Sequence, residues 1–450
     1  KPKIMRDNRR KMNLIEEGTD MAPRIYEDTS LTFDVYPKIL LKDKRTRIHI
    51  RPIFAKPFME GAMYRITTAP MEIDTYVKEN RVTQTVRCVN NTLICSLTLH
   101  HEQEYRLLLS CEDDDFKDTL AVLHLYCLED DLHHKRPFKG DLHLHSYYSD
   151  GRNSPGFIAA SCRKAGLDFM AITDHRAHDP SIEAQQDFSD MDIDLKIFRG
   201  EEIHPPKTHT HMVGFGNKES VRKHFTDEDA YIETISEKSR NVDFLETDQE
   251  KYEYASCSFV IDQVRQEGGI CIFAHPYWAT GNRYNVSSPL TEAFLKTGIF
   301  DAFELFNGDT LDINAIQLAL YHDLFKQYKI PLVSGTDSHG VIRHPFFGTF
   351  FTVVYSEDCQ LDSLTANIQE LNSVVVMPVK DSSPFVFGPL RLVKYTLYLL
   401  REIIPLHDEL CKEEGILMDS ALRGSKNAKA ALSVLKGQTT EYYKKMYEED

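Results

Sequence analysis

Alternation of apolar and polar residues with a period of two dominates the first part of the chain, between Leu31 and His134. Runs such as Thr92 to His100 and Tyr105 to Ser110 follow this period and are separated by turn residues. Successive side chains of a β-strand point to opposite faces, so the pattern predicts half-buried antiparallel strands. We therefore predict a β-sandwich domain over residues 23–137, preceded by a leader over residues 1–22.

From residue 138 onward, short apolar runs alternate with segments whose apolar residues recur at helical spacing. Gly269 to Phe273 and Ala302 to Phe306 have the composition of buried strands, whereas Phe157 to Ala165 and Asn314 to Tyr328 have the period of helices. Alternating strands and helices predict an α/β fold with a parallel barrel, which we place over residues 138–380.

Two further segments show the apolar spacing of helices. Residues 217–256 are rich in charge and predict a mostly solvated helical insertion, which is either a lid over a site or a surface excursion. Residues 381–450 predict a C-terminal helical extension that packs on the barrel or on a partner subunit. A homo-oligomer formed through this extension or through the β-sandwich is therefore one expectation.

Histidine and acidic residues recur where the predicted barrel strands end. His143 and His145 lie two positions apart, so a strand over Asp141 to His145 would direct both imidazoles to one face. Groups of the same kind follow the later strands, and a parallel barrel gathers its strand ends at one face. The complete set is His143, His145, Asp150, His175, Glu202, His211, His275, Asp337 and His339.

This set predicts a metal centre, whereas His143 and His145 alone would also suit a solvated His-rich edge strand. Zinc, manganese and iron accept imidazole and carboxylate ligands, at about four to six per ion. Nine such groups with bridging solvent therefore suit about two or three divalent transition-metal ions. Cysteine is absent from the set, which disfavours a closed structural zinc site and favours catalysis at open coordination positions.

Composition restricts the remaining possibilities. The formal net charge is −16, from 53 basic and 69 acidic residues, which argues against a broad surface for duplex nucleic acid. No apolar run approaches the ~20 residues that span a bilayer. The nine cysteines form no CxxC pair, as expected of buried thiols in a reducing compartment. We expect a cytoplasmic protein, with removal of an N-terminal signal as the open alternative.

Six blocks around these residues resemble the polymerase-and-histidinol-phosphatase (PHP) superfamily. They are His143-x-His145 with Ser149-Asp150-Gly151, Ile172-Thr173-Asp174-His175, Gly200-Glu201-Glu202-Ile203, His211 to Gly216, Ala274-His275-Pro276 and Gly335-Thr336-Asp337-Ser338-His339-Gly340, in that order between residues 139 and 356. The resemblance is greatest to the branch of metal-dependent phosphoesterases and carbaryl-hydrolase-like metallohydrolases. It implies a distorted (β/α)7 barrel, similar to a TIM barrel, that holds a trinuclear metal centre. Asp150 stands where histidinol phosphatases usually have His, which disfavours histidinol phosphate as the substrate.

The resemblance also implies how the ligands are shared among three ions. The first ion would be held by His143, His145, Glu202 and Asp337, the second by Glu202, His211 and His275, and the third by Asp150, His175 and His339. Glu202 would bridge the first two ions. The family pattern favours Glu202 over its neighbour Glu201, and His211 over His204 and His209. Those two histidines remain candidates for supporting a ligand, contacting substrate or simply occupying a loop.

Other residues near the same strand ends are candidates for catalysis and substrate binding. We expect Asp174 to orient an imidazole rather than to bind metal. Arg176 is the first candidate for a cationic phosphate pocket, and His178 is a candidate for protonating the leaving group. The remaining candidates for substrate contacts are Arg343, Arg283, Tyr277, Trp278 and His344. Trp278 would either stack on a substrate ring or pack against the barrel rim.

These residues predict a metal-dependent phosphoesterase that acts on a small phosphorylated substrate, with a nucleotide as one candidate. Metal coordination lowers the pKa of a bound water towards ~7, so hydroxide would attack phosphorus in line. The alternative is hydrolysis of a carbamate, amide or ester bond at the same centre. A third, less favoured interpretation is a non-catalytic metal-binding scaffold. A cationic pocket beside the metal centre would favour the first interpretation over the second.

Overall fold

The computed structural model describes residues 32–73, 80–111, 119–342, 345–380 and 382–448. The chain is mixed α/β and divides into two compact units. The first unit takes its described residues from the ranges 1–36, 45–97 and 105–125, and the second from 37–44, 98–104 and 126–450. The predicted leader and the substrate candidates Arg343 and His344 lie outside the described residues.

The first unit is built from β-strands in which buried and more exposed residues alternate. This alternation is regular along the whole strand Gln103–Cys111, as expected when one face of a sheet is covered. Strands β1, β3 and β6 form one sheet, and β8, β7, β4 and β5 lie side by side in another. The prediction of strands in this region is confirmed, and their arrangement as a sandwich stays a prediction. The strands up to residue 128 are β1 (Phe33–Tyr36), β2 (Ile39–Leu41, in the second unit), β3 (Arg45–Pro52), β4 (Met63–Pro70), β5 (Val82–Arg87), β6 (Leu93–Thr98), β7 (Gln103–Cys111) and β8 (Thr119–Leu128).

The second unit contains two larger sheets. Their strands are β9 (Arg136–Asp141), β10 (Phe169–Ala171), β11 (Lys196–Phe198), β12 (Gly200–Ile203), β13 (Met212–Phe215), β14 (Ile270–Phe273), β17 (Ala302–Phe306), β18 (Leu332–Ser334), β19 (Phe351–Ser356), β20 (Ser373–Met377) and β21 (Phe385–Phe387), and a small hairpin adds β15 (Ala279–Thr280) and β16 (Arg283–Tyr284). One sheet has the order β11-β10-β9-β19-β20-β21 and the other β12-β13-β14-β17-β18. Isolated parallel bridges pair Leu144 with Ser338 and His175 with Glu202. The bridges therefore join the chain beyond β9 and β10 to segments of the other sheet.

The strand pairing is mixed, whereas the sequence predicted a parallel barrel. β13 is antiparallel to β12 and β14, and β19 is antiparallel to β9 and β20. β12 and β13 are joined by residues 204–211 alone, which is shorter than the crossover of about a dozen residues that a parallel pair needs. The α/β class is confirmed at this level, and closure into a seven-stranded barrel stays a prediction.

Helices cover these sheets. They are α1 (Asp130–His133), α2 (Pro155–Lys164), α3 (Asp179–Asp187), α4 (Glu228–Ser239), α5 (Asp248–Gln266), α6 (Ser288–Thr297), α7 (Leu311–Phe325), α8 (Leu361–Gln369), α9 (Leu390–Glu402), α10 (Ile404–Leu422), α11 (Lys426–Leu435) and α12 (Gln438–Tyr447), with a 3₁₀ helix at Val221–Phe225. Among the described residues, none of these helices has both the length and the apolar character required to cross a membrane.

The insertion over residues 217–256 is helical and largely exposed, as predicted, but one face of it is buried. Tyr231, Ile235 and Tyr252 lie in one apolar cluster with Phe273 of β14 and Phe294 of α6. These apolar positions are sparse among charged residues, so the sequence shows little sign of the buried face. The insertion therefore contributes one face to the core of the second unit, and a role as a lid stays a prediction.

The C-terminal helices pack against the same unit. Gly415 of α10 lies so close to α2 that an added Cβ would meet the backbone nitrogen of Lys164 at 2.4 Å. Beside this contact, the buried Arg163 donates from Nε to Glu414 at 2.7 Å and from Nη1 to Asp168 at 3.2 Å. Packing of the C-terminal extension on the rest of the second unit is thus observed, and a role in oligomerisation stays a prediction.

Candidate metal centre

The segment that follows β9 carries the first two candidate ligands. The strand covers Arg136–Asp141, so the predicted strand over Asp141 to His145 is wrong in its position. Asp141 fixes this segment instead, because its carboxylate accepts hydrogen bonds from the backbone N–H of His143 at 3.1 Å and from the Thr336 hydroxyl at 2.6 Å. Burial raises the pKa of Asp141 to about 7. These bonds hold the segments of residues 141–145 and 335–339 side by side.

Glu202 lies at the middle of the cluster and is only 1% exposed. Its Oε2 lies 3.5 Å from His143 Nε2, 3.3 Å from His145 Nε2 and 2.7 Å from His175 Nδ1. Its Oε1 lies 2.7 Å from His211 Nδ1 and 3.3 Å from His275 Nε2. The two oxygens of one carboxylate therefore face two different groups of imidazoles, which is the geometry of a bridging ligand.

Asp337, in the segment of residues 335–339, belongs to the same cluster. Its Oδ1 lies 2.9 Å from His145 Nε2 and 3.4 Å from His143 Nε2. The backbone of Asp337 is left-handed with φ of 47°, and His275 and Arg176 also have positive φ, at 23° and 55°. Such conformations cost about 1–3 kcal/mol each and persist where the surrounding structure imposes them.

A more open group forms around Asp150, whose side chain is 54% exposed. Its carboxylate oxygens lie 3.4 Å from His175 Nε2, 3.2 Å from His339 Nε2 and 3.8 Å from His145 Nδ1. The turn that carries Asp150 thus brings a carboxylate to the solvent side of the buried cluster. All nine residues predicted from the sequence therefore meet in one place.

The donor atoms of this cluster fit divalent transition-metal ions. Within the described part of the chain, several buried atoms here have no hydrogen-bond partner: His143 Nε2, His145 Nε2, both oxygens of Glu202, His211 Nδ1, His275 Nε2 and Asp337 Oδ1. Leaving a buried polar atom unpaired costs about 1–3 kcal/mol, and more for a charged group. Imidazole and carboxylate are also the ligands that zinc, manganese and iron accept. Coordination of metal would satisfy these atoms together.

Charge complementarity within the cluster shifts the pKa values in opposite directions. Burial opposes ionisation of Glu202, but the imidazoles of His143 and His211 hold the pKa of this carboxyl well below its usual range. Burial lowers the pKa of His211 to about 4. Burial also disfavours the charged form of His143, yet Asp337, Glu304 and Glu202 raise its pKa well above the usual value. These shifts favour an ionised Glu202 and a neutral His211, the forms that bind metal, whereas His143 has to lose its second proton when an ion binds.

The sequence reasoning missed Glu304, which is buried in β17. His143 Nδ1 donates to Glu304 Oε1 at 3.0 Å, and Asn307 Nδ2 donates to Glu304 Oε2 at 2.9 Å. This bond directs Nε2 of His143 towards the cluster, as carboxylates do behind metal-binding histidines. The available signal was a single acidic residue inside the apolar run Ala302–Phe306.

Asp174 has a different role from the one expected. Its buried carboxylate accepts hydrogen bonds from the backbone N–H of Ser146 at 2.8 Å and from that of Ser149 at 3.1 Å, and from both hydroxyls. The structure thus brings Asp174 against the turn that leads to Asp150 and not against an imidazole. Asp174 therefore positions this turn, which corrects the expectation that it orients an imidazole, and a catalytic role for Asp174 stays a prediction.

The residues next to the predicted ligands differ in whether they belong to the cluster. Glu201 points away from Glu202, because its carboxylate accepts from the Ser220 hydroxyl at 2.7 Å and from the backbone N–H of Val221 at 2.8 Å. His209 is exposed. His204 belongs to the cluster, since its Nε2 lies 3.6 Å from Glu202 Oε1 and 3.0 Å from Nδ1 of His175. The sequence left these alternatives open.

Two of the predicted catalytic residues, Arg176 and His178, differ in their exposure to solvent. Arg176 is exposed and lines a cavity of about 540 Å³ together with His204, Lys207 and Arg222. His178 is buried, and its Nε2 donates to the backbone carbonyl of Asn217 at 2.9 Å. This bond engages Nε2 at the start of α3, and a role of His178 in protonating a leaving group stays a prediction.

The aromatic candidates after His275 occupy the rim. Trp278 is 41% exposed, and its ring lies 5.7 Å from that of His211 and 6.0 Å from that of His275 between centroids. Tyr277 is buried and packs edge-on against Tyr284 at 5.2 Å, and burial raises its pKa. Arg283 is exposed on the same small hairpin. Trp278 therefore reaches the cluster, whereas Tyr277 supports the hairpin that carries it.

Comparison with known proteins gives a limited set of similarities. No family model matches the chain. Over 37 residues the chain is 57% identical to the DNA polymerase/3'-5' exonuclease PolX of Bacillus subtilis, a match that spans 8% of this chain and 6% of that protein. The chain therefore covers only a small part of the curated relative that it matches.

Several solved structures are similar to larger parts of the chain. A two-domain protein of Bacteroides vulgatus containing a predicted PHP-like metal-dependent phosphoesterase is 17% identical, with a TM-score of 0.37, over 55% of this chain and 66% of that one. A candidate metal-dependent phosphoesterase of Bifidobacterium adolescentis is 21% identical, with a TM-score of 0.33, over 45% of this chain and 87% of that one. An amidohydrolase of Chromobacterium violaceum is 18% identical, with a TM-score of 0.31, over the same shares.

Two of these structures are described as PHP-like or metal-dependent phosphoesterases, the class that the motifs of the chain resemble.

Proposed function

We propose that this chain is a metal-dependent phosphoesterase that hydrolyses a small phosphorylated substrate at a trinuclear centre of the PHP type. The observation that carries the proposal is the position of Glu202, a buried carboxylate whose two oxygens face different imidazole groups. A carboxylate shared in this way holds two ions close together, which favours hydrolysis over a structural role.

Three ion positions account for the arrangement of the ligands. The first would be held by His143, His145 and Asp337 with Oε2 of Glu202, the second by His211 and His275 with Oε1 of Glu202, and the third by Asp150, His175 and His339. His204 lies close enough to Glu202 and His175 to support or replace a ligand of this set. The third position is the most open to solvent, because Asp150 is half exposed.

Bound ions would supply an activated water and would neutralise charge on the phosphoryl oxygens. The residues around the ligands hold them in position. Glu304 fixes the tautomer and direction of His143, and Asp174 fixes the turn that presents Asp150. The backbone N–H of Arg176 donates to the carbonyl of Glu202 at 2.9 Å, which holds the backbone of Arg176 beside that of Glu202.

The cavity beside the cluster favours a phosphoester over a neutral carbonyl substrate. Arg176, Lys207 and Arg222 line it, and His204 forms part of the wall that it shares with the cluster. Glu201 also lines the cavity, but its carboxylate is already hydrogen-bonded to Ser220 and to the backbone of Val221. Guanidinium and ammonium groups bind phosphate strongly through charge-assisted hydrogen bonds. Glu228 lines the cavity as well but is exposed to solvent. A neutral carbamate or amide would offer these cations no charge to pair with.

The proposal is tested by metal analysis of the purified protein and by phosphate release from a panel of phosphate esters. We expect bound transition metal and phosphate release in the native protein, and loss of both in His143→Ala. Lys326→Gln, a change at the exposed residue that follows α7, is the control and should retain both. Bound metal with hydrolysis of carbamates or amides alone would favour the carbonyl hydrolase instead. Failure to bind metal under replete conditions would refute a catalytic metal centre.

A further inference from the structure

A second large cavity lies in the same unit, at the opposite end of the strands from the metal cluster. It has a volume of about 790 Å³ and is lined by residues at the start of β9 and β11 and along α12. β9 begins with Arg136 at this cavity and ends next to His143. Because a strand advances about 3.3 Å per residue, the two sites are separated by roughly 20 Å. A ligand in this cavity would therefore not touch the metal cluster.

Arg136 is the central cation of this cavity. Its guanidinium lies over the rings of Tyr443, at 4.3 Å, and Phe138, at 5.0 Å. Nη1 donates to the Thr440 hydroxyl at 3.1 Å, whereas the buried Nε has no hydrogen-bond partner among the described residues. The side chain is thus held in place by aromatic packing while part of its hydrogen-bonding capacity is unused.

Two lysines add positive charge to the same wall. Lys196 of β11 and Lys444 of α12 line the cavity, and within the described ranges neither forms an ion pair. By contrast, the inner acidic residues of the cavity are neutralised. Asp168 pairs with His407 at 3.0 Å and Asp194 pairs with Lys436 at 3.2 Å.

The acidic residues at the edge of the cavity do not neutralise the three central cations either. Glu357 lies 3.6 Å from Lys135, and Asp358 and Glu448 are exposed. Burial raises the pKa of Asp168, but His407, Arg163 and Arg136 together lower it, so Asp168 offsets part of the charge of Arg136. A cluster of Arg136, Lys196 and Lys444 that forms no ion pair among the described residues is still unusual in a chain whose formal net charge is −16. It is the electrostatic environment that an anionic ligand requires.

We propose that this cavity is a second binding site, separate from the metal centre, for a phosphate-bearing small molecule of nucleotide size. Arg136, Lys196 and Lys444 would bind the phosphate group through charge-assisted hydrogen bonds. The rings of Tyr443 and Tyr447, which also line the cavity, provide apolar surface for the rest of the ligand. The volume falls within the range of about 300–1,000 Å³ that small-molecule sites occupy.

The test is calorimetric titration of the full-length protein with adenosine monophosphate and, separately, with inorganic phosphate. Lys196→Gln is the informative variant, because its side chain is only partly buried and its replacement should leave the fold intact. Arg136→Gln is the second variant. Lys326→Gln controls for the loss of one charge, because Lys326 is exposed directly after α7 and does not line the cavity.

We expect saturable binding of at least one probe that weakens about tenfold or more in Lys196→Gln or Arg136→Gln and is unchanged in Lys326→Gln. The same binding should persist in His143→Ala, which disables the proposed metal centre. Persistence in this variant keeps the outcome independent of the proposed phosphoesterase activity. The proposal is overturned if neither probe binds, if both cavity variants bind like the native protein, or if binding disappears in His143→Ala.

Discussion

His143 and Glu304 form a buried pair in which the imidazole Nδ1 donates to the carboxylate across 3.0 Å. This contact leaves Nε2 of His143 as the atom that faces Glu202 and Asp337. The proton on Nδ1 thus selects one tautomer, and the negative charge of Glu304 increases the basicity of the ring. Glu304 therefore controls a candidate ligand without itself facing the cluster.

Removing this carboxylate should weaken metal binding. We expect Glu304→Leu to reduce metal affinity by about 10–100-fold, because His143 loses the group that orients it. Glu304→Gln can still accept a hydrogen bond and should cause a smaller loss. Competition with a chelator measures both affinities. Equal affinities in the native protein and in Glu304→Leu would contradict the assigned role.

Replacing Arg176 should impair the use of substrate while leaving the metal centre intact. Arg176 lines the cavity beside His204, and its side chain contributes a positive charge rather than a ligand. We expect Arg176→Ala to lower kcat/KM for a phosphate ester by about tenfold or more, since a charge-assisted hydrogen bond is worth about 1.5–3 kcal/mol. Metal content should not change.

Arg240→Ala is a matched control for that measurement. Arg240 is exposed directly after α4, and it is not among the residues that line the cavity. Its replacement should leave both kcat/KM and metal content unchanged. Equal losses in the two variants would mean that overall charge, rather than the position of Arg176, affects the reaction.

The sequence predicted the cluster better than it predicted the strands that carry it. His143 and His145 meet Glu202 although β9 ends at Asp141, because the extended segment after the strand preserves the alternation of side chains. Imidazole and carboxylate motifs are short and local, so their chemistry is readable without a correct strand boundary. The pairing direction of β13 depends on partners distant in sequence, and no local pattern encodes it.

Two residues of this region make tertiary contacts that the sequence did not reveal. His178 was a plausible proton donor by its position near His175, but a carbonyl at Asn217, 39 positions away, occupies its nitrogen. Glu304 reaches His143 across 161 positions. Neither partner could be identified from spacing, because each bond joins separate strands or loops that meet only in the folded chain.

Trp278 should report on occupation of the metal centre. It is the only tryptophan of the chain, and its ring lies 5.7 Å from that of His211. We expect addition of Mn²⁺ or Zn²⁺ to change the intrinsic tryptophan fluorescence of the native protein, because a cation bound by His211 would place positive charge close to the indole ring. The change should be absent or require much more metal in His143→Ala. A metal-loaded native protein with unaltered fluorescence would place Trp278 outside the influence of the centre.

Adjacent glutamates on α10 offer a test of what holds the C-terminal helices to the rest of the unit. Glu414 is buried and accepts from Arg163 Nε at 2.7 Å, whereas Glu413 is exposed on the same helix. Glu414→Leu would leave the guanidinium of Arg163 buried with one carboxylate fewer, and losing one partner of a buried ion pair costs about 3–5 kcal/mol. Asp168 still contacts Arg163 at 3.2 Å, so we expect a loss at the lower end of this range.

Glu413→Leu should change the free energy of unfolding by less than about 0.5 kcal/mol. Denaturant unfolding of the two variants and the native protein measures the difference, and equal midpoints for both would show that the buried pair does not stabilise this contact.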